Sequence, residues 1–232
     1  MTAPLIISQV AKSFTMHLRD GIRLPVVAGV SFALAAGECA VLGGPSGAGK
    51  SSILKMLYGN YSVDAGRILV DHHGEPVDIA TASPRTVLAV RRDTIGYVSQ
   101  FLRTVPRVPA LDVVAEPLFA RGAEREAARN KARGLLARLN LPQRLWALPP
   151  ATFSGGEQQR VNIARSLIAD YPILLLDEPT ASLDTANRDG VIDLIRQRRD
   201  AGAAIVGIFH DGAVRDAVAT RLHNVALPGA QP

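Results

Sequence analysis

The run Gly44-Pro45-Ser46-Gly47-Ala48-Gly49-Lys50-Ser51-Ser52 lies between a short apolar stretch, Cys39 to Leu42, and a segment in which Ile53, Leu54, Met56 and Leu57 recur with helical spacing before Gly59. That order predicts a strand, a glycine-rich loop and a helix. The pattern G-x-x-x-x-G-K-[ST] in this setting is a phosphate loop. Its glycines let backbone N–H groups curl around phosphate oxygens, and the helix N-terminus adds partial positive charge. Lys50 would reach the β and γ phosphates of a nucleotide and Ser51 would ligate magnesium. At average residue frequencies the pattern arises by chance in roughly one chain of this length in a hundred.

The rest of the chain reads as strands alternating with helices, and therefore as an α/β protein with a parallel core sheet. Leu5 to Val10 and Val26 to Leu34 alternate as strands, with a polar hairpin-like stretch around Arg19 to Arg23, so an antiparallel sheet is expected at the N-terminus. A strand is expected at Ile95 to Ser99. From about 101 to 169 strand alternation is lost and prolines punctuate helical segments, which predicts a helical subdomain. Ile173 to Leu176 is an unbroken apolar run suited to a central strand, followed by a helix near Arg188 to Arg199 and a strand at Ala203 to Phe209. The whole chain, 1–232, is read as one domain, and its tail after Leu227 as frayed.

Two further clusters bear on chemistry. Asp177 and Glu178 stand at the C-terminal end of the Ile173 strand, where open α/β sheets bind ligands. Asp177 would hold magnesium, and Glu178 would act as the general base that polarises the water attacking a γ phosphate. Ser154-Gly155-Gly156-Glu157 opens a helix with inward Val161, Ala164, Leu167 and Ile168, so its amides form a second anion-binding helix end. Taken alone, a serine and two glycines there are an N-cap with a flexible approach.

The string Ser154-Gly-Gly-Glu-Gln-Gln-Arg160 resembles the signature motif of ATP-binding-cassette ATPases, and the rest of that family's set follows in order along almost the whole chain. The resemblance implies ATP and Mg²⁺ as cofactors and a head-to-tail pair of cassettes, in which the phosphate loop of one and the Ser154 region of the other enclose each ATP. It implies that Gln100 is the Q-loop glutamine contacting magnesium or water, that Ser182-Leu183-Asp184 is the D-loop, that His210 is the switch histidine, and that Phe14 stacks on adenine. Phe153 departs from the pattern, standing where leucine is usual.

Stretches largely outside these shared motifs, though they include Gln100 and His210, resemble a narrower group, the PhnL-type subunit of the bacterial carbon-phosphorus lyase system. They are Gly96 to Arg103 continuing through Val105 to Leu111, then Leu141 to Trp146, and Gly202 to Asp211. That resemblance implies phosphonate metabolism, with the cassette assisting formation of ribose 1-alkylphosphonate 5-triphosphate from ATP and phosphonate beside other soluble lyase subunits. Residues of a nucleosidase site are not visible, so the chain itself is assigned ATP binding and hydrolysis. A partner surface is expected just after Gln100, with Phe101, Leu102, Arg103 and Arg107 as candidates.

The alternative from the same motifs is the ATPase subunit of a membrane transporter. Its cassettes have no membrane segment either, and the apolar run from Val26 to Ala36 is interrupted by Gly29 and Ser31, so no direct membrane insertion is expected. A formal charge of +5 raises a third reading, a nucleic-acid-associated cassette. The arginines are dispersed, with short clusters at Arg91-Arg92 and Arg196 to Arg199 read as solvated helix faces, and no aromatic-basic interleaving marks a nucleic-acid groove. Nucleic acid is therefore not an expected partner. Cys39 is the one cysteine, which excludes an internal disulfide and suits a cytoplasmic protein.

Overall fold

The computed structural model describes residues 3–16, 21–100, 102 and 106–227. They form two sheets and a helical layer. The first sheet is antiparallel, in the order β2-β1-β4-β5, built from β1 (Leu5–Met16), β2 (Ile22–Leu34), β4 (Ala65–His72) and β5 (Glu75–Asp78). The second is parallel, in the order β6-β7-β8-β3-β9, from β3 (Cys39–Gly43), β6 (Ile95–Val98), β7 (Ile173–Asp177), β8 (Ala204–Ile208) and β9 (Arg221–Asn224).

The central strands β3, β7 and β8 are largely apolar because both their faces are covered, and the period of two along each strand divides its side chains between two cores. Leu174 and Leu176 of β7, Ile205 of β8 and Cys39 and Val41 of β3 enter one core with the helical layer. Ile173 and Leu175, Val206 and Ile208, and Ala40 and Leu42 enter the other, against the antiparallel sheet and α1 (Lys50–Leu57). Ile53, Leu54, Met56 and Leu57 of α1 are all buried, as the helical spacing predicts. Burial pushes the Cys39 thiol up to about 12, so it is an inert core residue at neutral pH.

The helical layer holds α3 (Ala110–Phe119), α4 (Arg125–Arg138) and α5 (Gly155–Leu167), with single 3₁₀ turns at Gln143–Leu145 and Pro150–Thr152. The prolines sit where a missing N–H costs least: Pro109, Pro142 and Pro149 at caps and Pro150 at a first helical position, with Pro117 inside α3 the exception. Arg129 of α4 forks onto Asp112 of α3 at 2.7 and 2.8 Å, while Ala128, Ala132 and Leu136 supply the buried face of α4.

Five elements have no counterpart in the sequence expectations: β4, β5, β9, α2 (Pro84–Asp93) and α7 (Gly212–Val218). The arginine clusters also differ from expectation. Arg91 donates from Nε to the Tyr58 carbonyl at 2.7 Å, and Arg196 and Arg199 of α6 (Thr185–Asp200) donate to the carbonyls of Ala217 and Val218, at 2.8 and 3.1 Å. They tie elements together by satisfying carbonyls at helix ends rather than forming only solvated faces. Of the partner-surface candidates, Phe101 and Arg103 lie outside the described residues, as do Arg19, Asp20 and the tail after Leu227.

The antiparallel sheet is pinned to its register by a bulge. Gln9 takes a φ of +50°, the β1–β4 pairing shifts between Ser8 and Ala11, and the Gln9 amide donates to Ser31 Oγ at 2.8 Å. Gly66 faces this bulge with a φ of +91°, and a Cβ there would lie 2.4 Å from the Gln9 carbonyl oxygen. Gly66→Ala should therefore destabilise the fold by about 2 kcal/mol or more, read as a lower urea midpoint at unchanged slope.

Candidate functional site

β3 ends by handing the chain to the exposed turn Gly44-Pro45-Ser46-Gly47, and buried Ala48 anchors that turn beneath. Gly49, at φ +85°, is the N-cap of α1, and a Cβ on it would lie 2.4 Å from the Val26 carbonyl oxygen. Only glycine lets the loop pass that close to β2 and still aim the first amides of α1 into the open turn. Lys50 Nζ bends back onto the carbonyls of Gly44 and Pro45, at 2.9 and 2.7 Å, so an ammonium is held over the loop opening. Ser51 and Ser52 open α1 and are half-buried.

Ser51 Oγ donates to Asp177 Oδ1 at 3.0 Å, and the Tyr97 hydroxyl donates to Oδ2 at 3.1 Å. Asp177 is 5% exposed, and burial raises its pKa above the usual carboxylate value, opposed by these two donors. Neither donor is a cation, so the charged form of Asp177 is incompletely compensated and suited to a metal ion. Gln100, exposed at the end of β6, lines a cleft of about 540 Å³ with Ser51, Asp177, Lys55, Tyr97 and Asn162. The serine hydroxyl, the carboxylate and the glutamine amide form an all-oxygen set that fits a hard dication such as Mg²⁺.

Glu178 follows immediately, at φ +53°, a left-handed conformation that costs a non-glycine residue about 1 kcal/mol or more. The turn swings its side chain out of the strand alternation and onto His210, where Nε2 meets Oε1 at 2.6 Å. A carboxylate in its ionised form only accepts, and in that form of Glu178 the donor in this contact is Nε2 of His210. The His210 side chain is 67% exposed and that of Glu178 18%, leaving the pair open on one side. Such a dyad can take a proton from a water placed against Glu178.

The other expected residues occupy different ground. Ser154 caps α5 in a reciprocal box: its Oγ accepts from the Glu157 amide at 3.4 Å, and Glu157 Oε2 accepts from the Ser154 amide at 2.9 Å and hydroxyl at 2.8 Å. Glu157 is thus committed to its own helix end, and its pKa is lowered first by the Ser154 hydroxyl. Gly155 is exposed, and Gly156 lies against the Ser182 carbonyl, 3.1 Å from where a Cβ would stand. Asp184 caps α6, accepting from the Asn187 amide and side chain, each at 2.9 Å. Phe153 is buried in the core beneath the helical layer. Phe14, half-buried on β1, meets Tyr61 edge-on at 5.2 Å with Lys12 Nζ 5.5 Å from its ring.

Tyr97 went unread in the sequence. Its signal is weak, since an aromatic residue on a predicted strand reads as core. A second cluster, His72, His73 and Asp93, brings three possible metal ligands within 4.8 Å, but Arg92 occupies Asp93 at 2.8 Å and His72 Nδ1 meets Thr94 Oγ1 at 2.6 Å. It ties the β4–β5 hairpin to the end of α2.

Residues 27–181 match the ABC transporter family. The chain is 39% identical over 195 residues to an uncharacterised ABC transporter ATP-binding protein of Mycobacterium tuberculosis, covering 84% of this chain and 58% of that protein. It thus spans little more than half the length of that relative. It is 36% identical over 197 residues to the lipoprotein-releasing system ATP-binding protein LolD of Shewanella frigidimarina, covering 84% and 80% of the two. Among solved structures, a dimeric ATP-binding cassette in a post-hydrolysis state, bound to ADP and Pi, superposes with a TM-score of 0.85 at 29% identity, over 95% of this chain and 94% of that one. No helix among the described residues is long and apolar enough to cross a membrane. With the phosphate loop, the buried aspartate and the glutamate–histidine pair in one place, these matches make the chain a member of the ATP-binding-cassette family of ATPases.

Proposed function

We propose that this chain is the ATP-hydrolysing cassette of a larger assembly, and that two cassettes closing on shared ATP drive the partner docked near Gln100. The observation that carries this reading is the pairing of Ser51, in the first turn of α1, with Asp177, and of the next residue, Glu178, with His210. Bound Mg²⁺ would neutralise charge on the β and γ phosphates. Ser51, Asp177 and Gln100 would hold it, Lys50 would leave the Gly44 and Pro45 carbonyls for the phosphates, and Glu178 would take the proton of the attacking water with His210 fixing its carboxylate. Phe14 would support the adenine, and Ser154 with its following amides, beside Asp184 of the D-loop, would close the site from a second cassette. The dimeric relative bound to ADP and Pi supports that pairing.

Lys50→Ala is expected to lose ATP binding and turnover together. Glu178→Gln is expected to bind ATP within about threefold of wild type while turnover falls at least about a hundredfold, because it keeps the contacts and loses the base. Nucleotide binding by fluorescence and phosphate release check both, and unchanged turnover in Glu178→Gln would refute the general-base role.

Two partner classes have separate support. LolD, of a lipoprotein-releasing system, and the macrolide export protein MacB of Salmonella choleraesuis, to which the chain is 34% identical over 218 residues, support a membrane partner on the cytoplasmic side. The stretches Gly96 to Arg103 with Val105 to Leu111, Leu141 to Trp146, and Gly202 to Asp211 extend well beyond the shared motif residues Gln100 and His210, and their resemblance supports the second class, soluble subunits of the carbon-phosphorus lyase system. Deleting the gene in its host and restoring wild type or Glu178→Gln separates them. The lyase reading expects growth on phosphate but not on methylphosphonate, rescue by wild type alone, and normal entry of labelled methylphosphonate. Normal growth on methylphosphonate, or loss of labelled uptake, would refute it in favour of transport.

A further inference from the structure

One face of α5 carries polar side chains where a helix packed on a sheet would ordinarily carry apolar ones. Gln159, Asn162 and Ser166 are 6%, 3% and 7% exposed, and their spacing of three and four residues sets them in a single stripe. Each donates to a backbone carbonyl of another segment. Gln159 Nε2 reaches the Pro179 carbonyl at 3.0 Å, Asn162 Nδ2 the Ser99 carbonyl at 2.6 Å, and Ser166 Oγ the Tyr97 carbonyl at 2.9 Å.

Those three carbonyls belong to the segments that bear the chemistry. Tyr97 holds Asp177 through its hydroxyl, Ser99 precedes Gln100, and Pro179 follows Glu178. The same helix begins at Ser154 and presses Gly156 against Ser182. Apolar side chains of similar size would fill the space but leave these three backbone carbonyls without their donors, so the stripe makes links that packing alone would not. Hydrogen bonds of fixed direction to three backbone points hold a helix in one register, which apolar contact does less strictly.

We propose that Asn162 and Ser166, with Gln159, are positioning residues that join α5 to the strand end before Gln100 and to the segment after Glu178. The Ser154 helix end and the metal- and water-facing groups then move as one body. This rests on the reading of Ser154 as a nucleotide contact from a second cassette, on which Lys50→Ala and Glu178→Gln report separately. Neither variant touches the stripe.

The test compares full-length wild type, Asn162→Ala, Ser166→Ala and the double variant by ATPase kinetics and by hydrogen exchange with and without ATP. In Asn162→Ala, kcat should fall about fivefold or more with KM for ATP within about twofold, and further in the double variant. ATP should still protect the amides of α1, while the gain in protection at the first turn of α5 is lost. A merely structural role would lower the melting temperature and leave kcat and the ATP-induced protection of α5 unchanged below it. That result in the folded double variant overturns the proposal. If Asn162→Ala does not fold, Ser166→Ala carries the same comparison. A kcat lowered about twofold or more with α5 protection reduced supports the linkage, and wild-type behaviour in both readouts overturns it.

Discussion

A carboxylate at the end of a strand buried on both faces sets the terms for everything around it. Asp177 closes β7, and its two oxygens are met by the hydroxyls of Ser51 and Tyr97. Neutral donors reduce the cost of burying that charge but do not cancel it, and burial accordingly raises its pKa. The arrangement favours a cation delivered from outside, next to the serine that opens α1. The parallel sheet, with β7 and β8 apolar on both sides, places this carboxylate at a defined depth beside the phosphate loop.

Strain at the neighbouring residue is the complement of that burial. Asp177 ends the strand inside the protein, and the left-handed backbone of Glu178 turns the next carboxylate outward to His210. Two adjacent acids thus face different media, one suited to a metal and the other to water. The cost of the Glu178 backbone is offset by the strand behind it and the loop after it, where the Glu178 amide donates to the Ile208 carbonyl at 3.1 Å and Gln159 holds the Pro179 carbonyl.

The legible parts of the fold were those with one physical cause. The phosphate loop could be read because residue identity, an apolar strand before it and a helical period after it agree. β7 could be read because a strand covered on both faces must be uniformly apolar. β4, β5 and β9 lie at or near sheet edges with mixed burial, so neither alternation nor a continuous apolar run marks them. α2 has a readable start in Ser83-Pro84, with Ser83 accepting from the Thr86 amide, but only Val90 is buried along it, leaving little periodicity. In the candidate site, residue type points to Lys50, Ser51, Asp177 and Glu178. Tyr97, Asn162 and Ser166 were hidden because a polar group on a buried face is defined by the acceptor it meets, a carboxylate for Tyr97 and carbonyls for the other two, which a pattern along one segment does not contain.

If the chain works as half of a catalyst, its association must depend on bound ATP that is not being consumed. Light scattering on eluting Glu178→Gln with Mg-ATP measures this directly, against the same protein without nucleotide and against Lys50→Ala with Mg-ATP. The account predicts twice the 24.6 kDa monomer mass for Glu178→Gln with Mg-ATP and monomers in both controls. A single-chain mass for Glu178→Gln at saturating Mg-ATP, with binding verified, would contradict the closing of two copies of this chain on shared nucleotide.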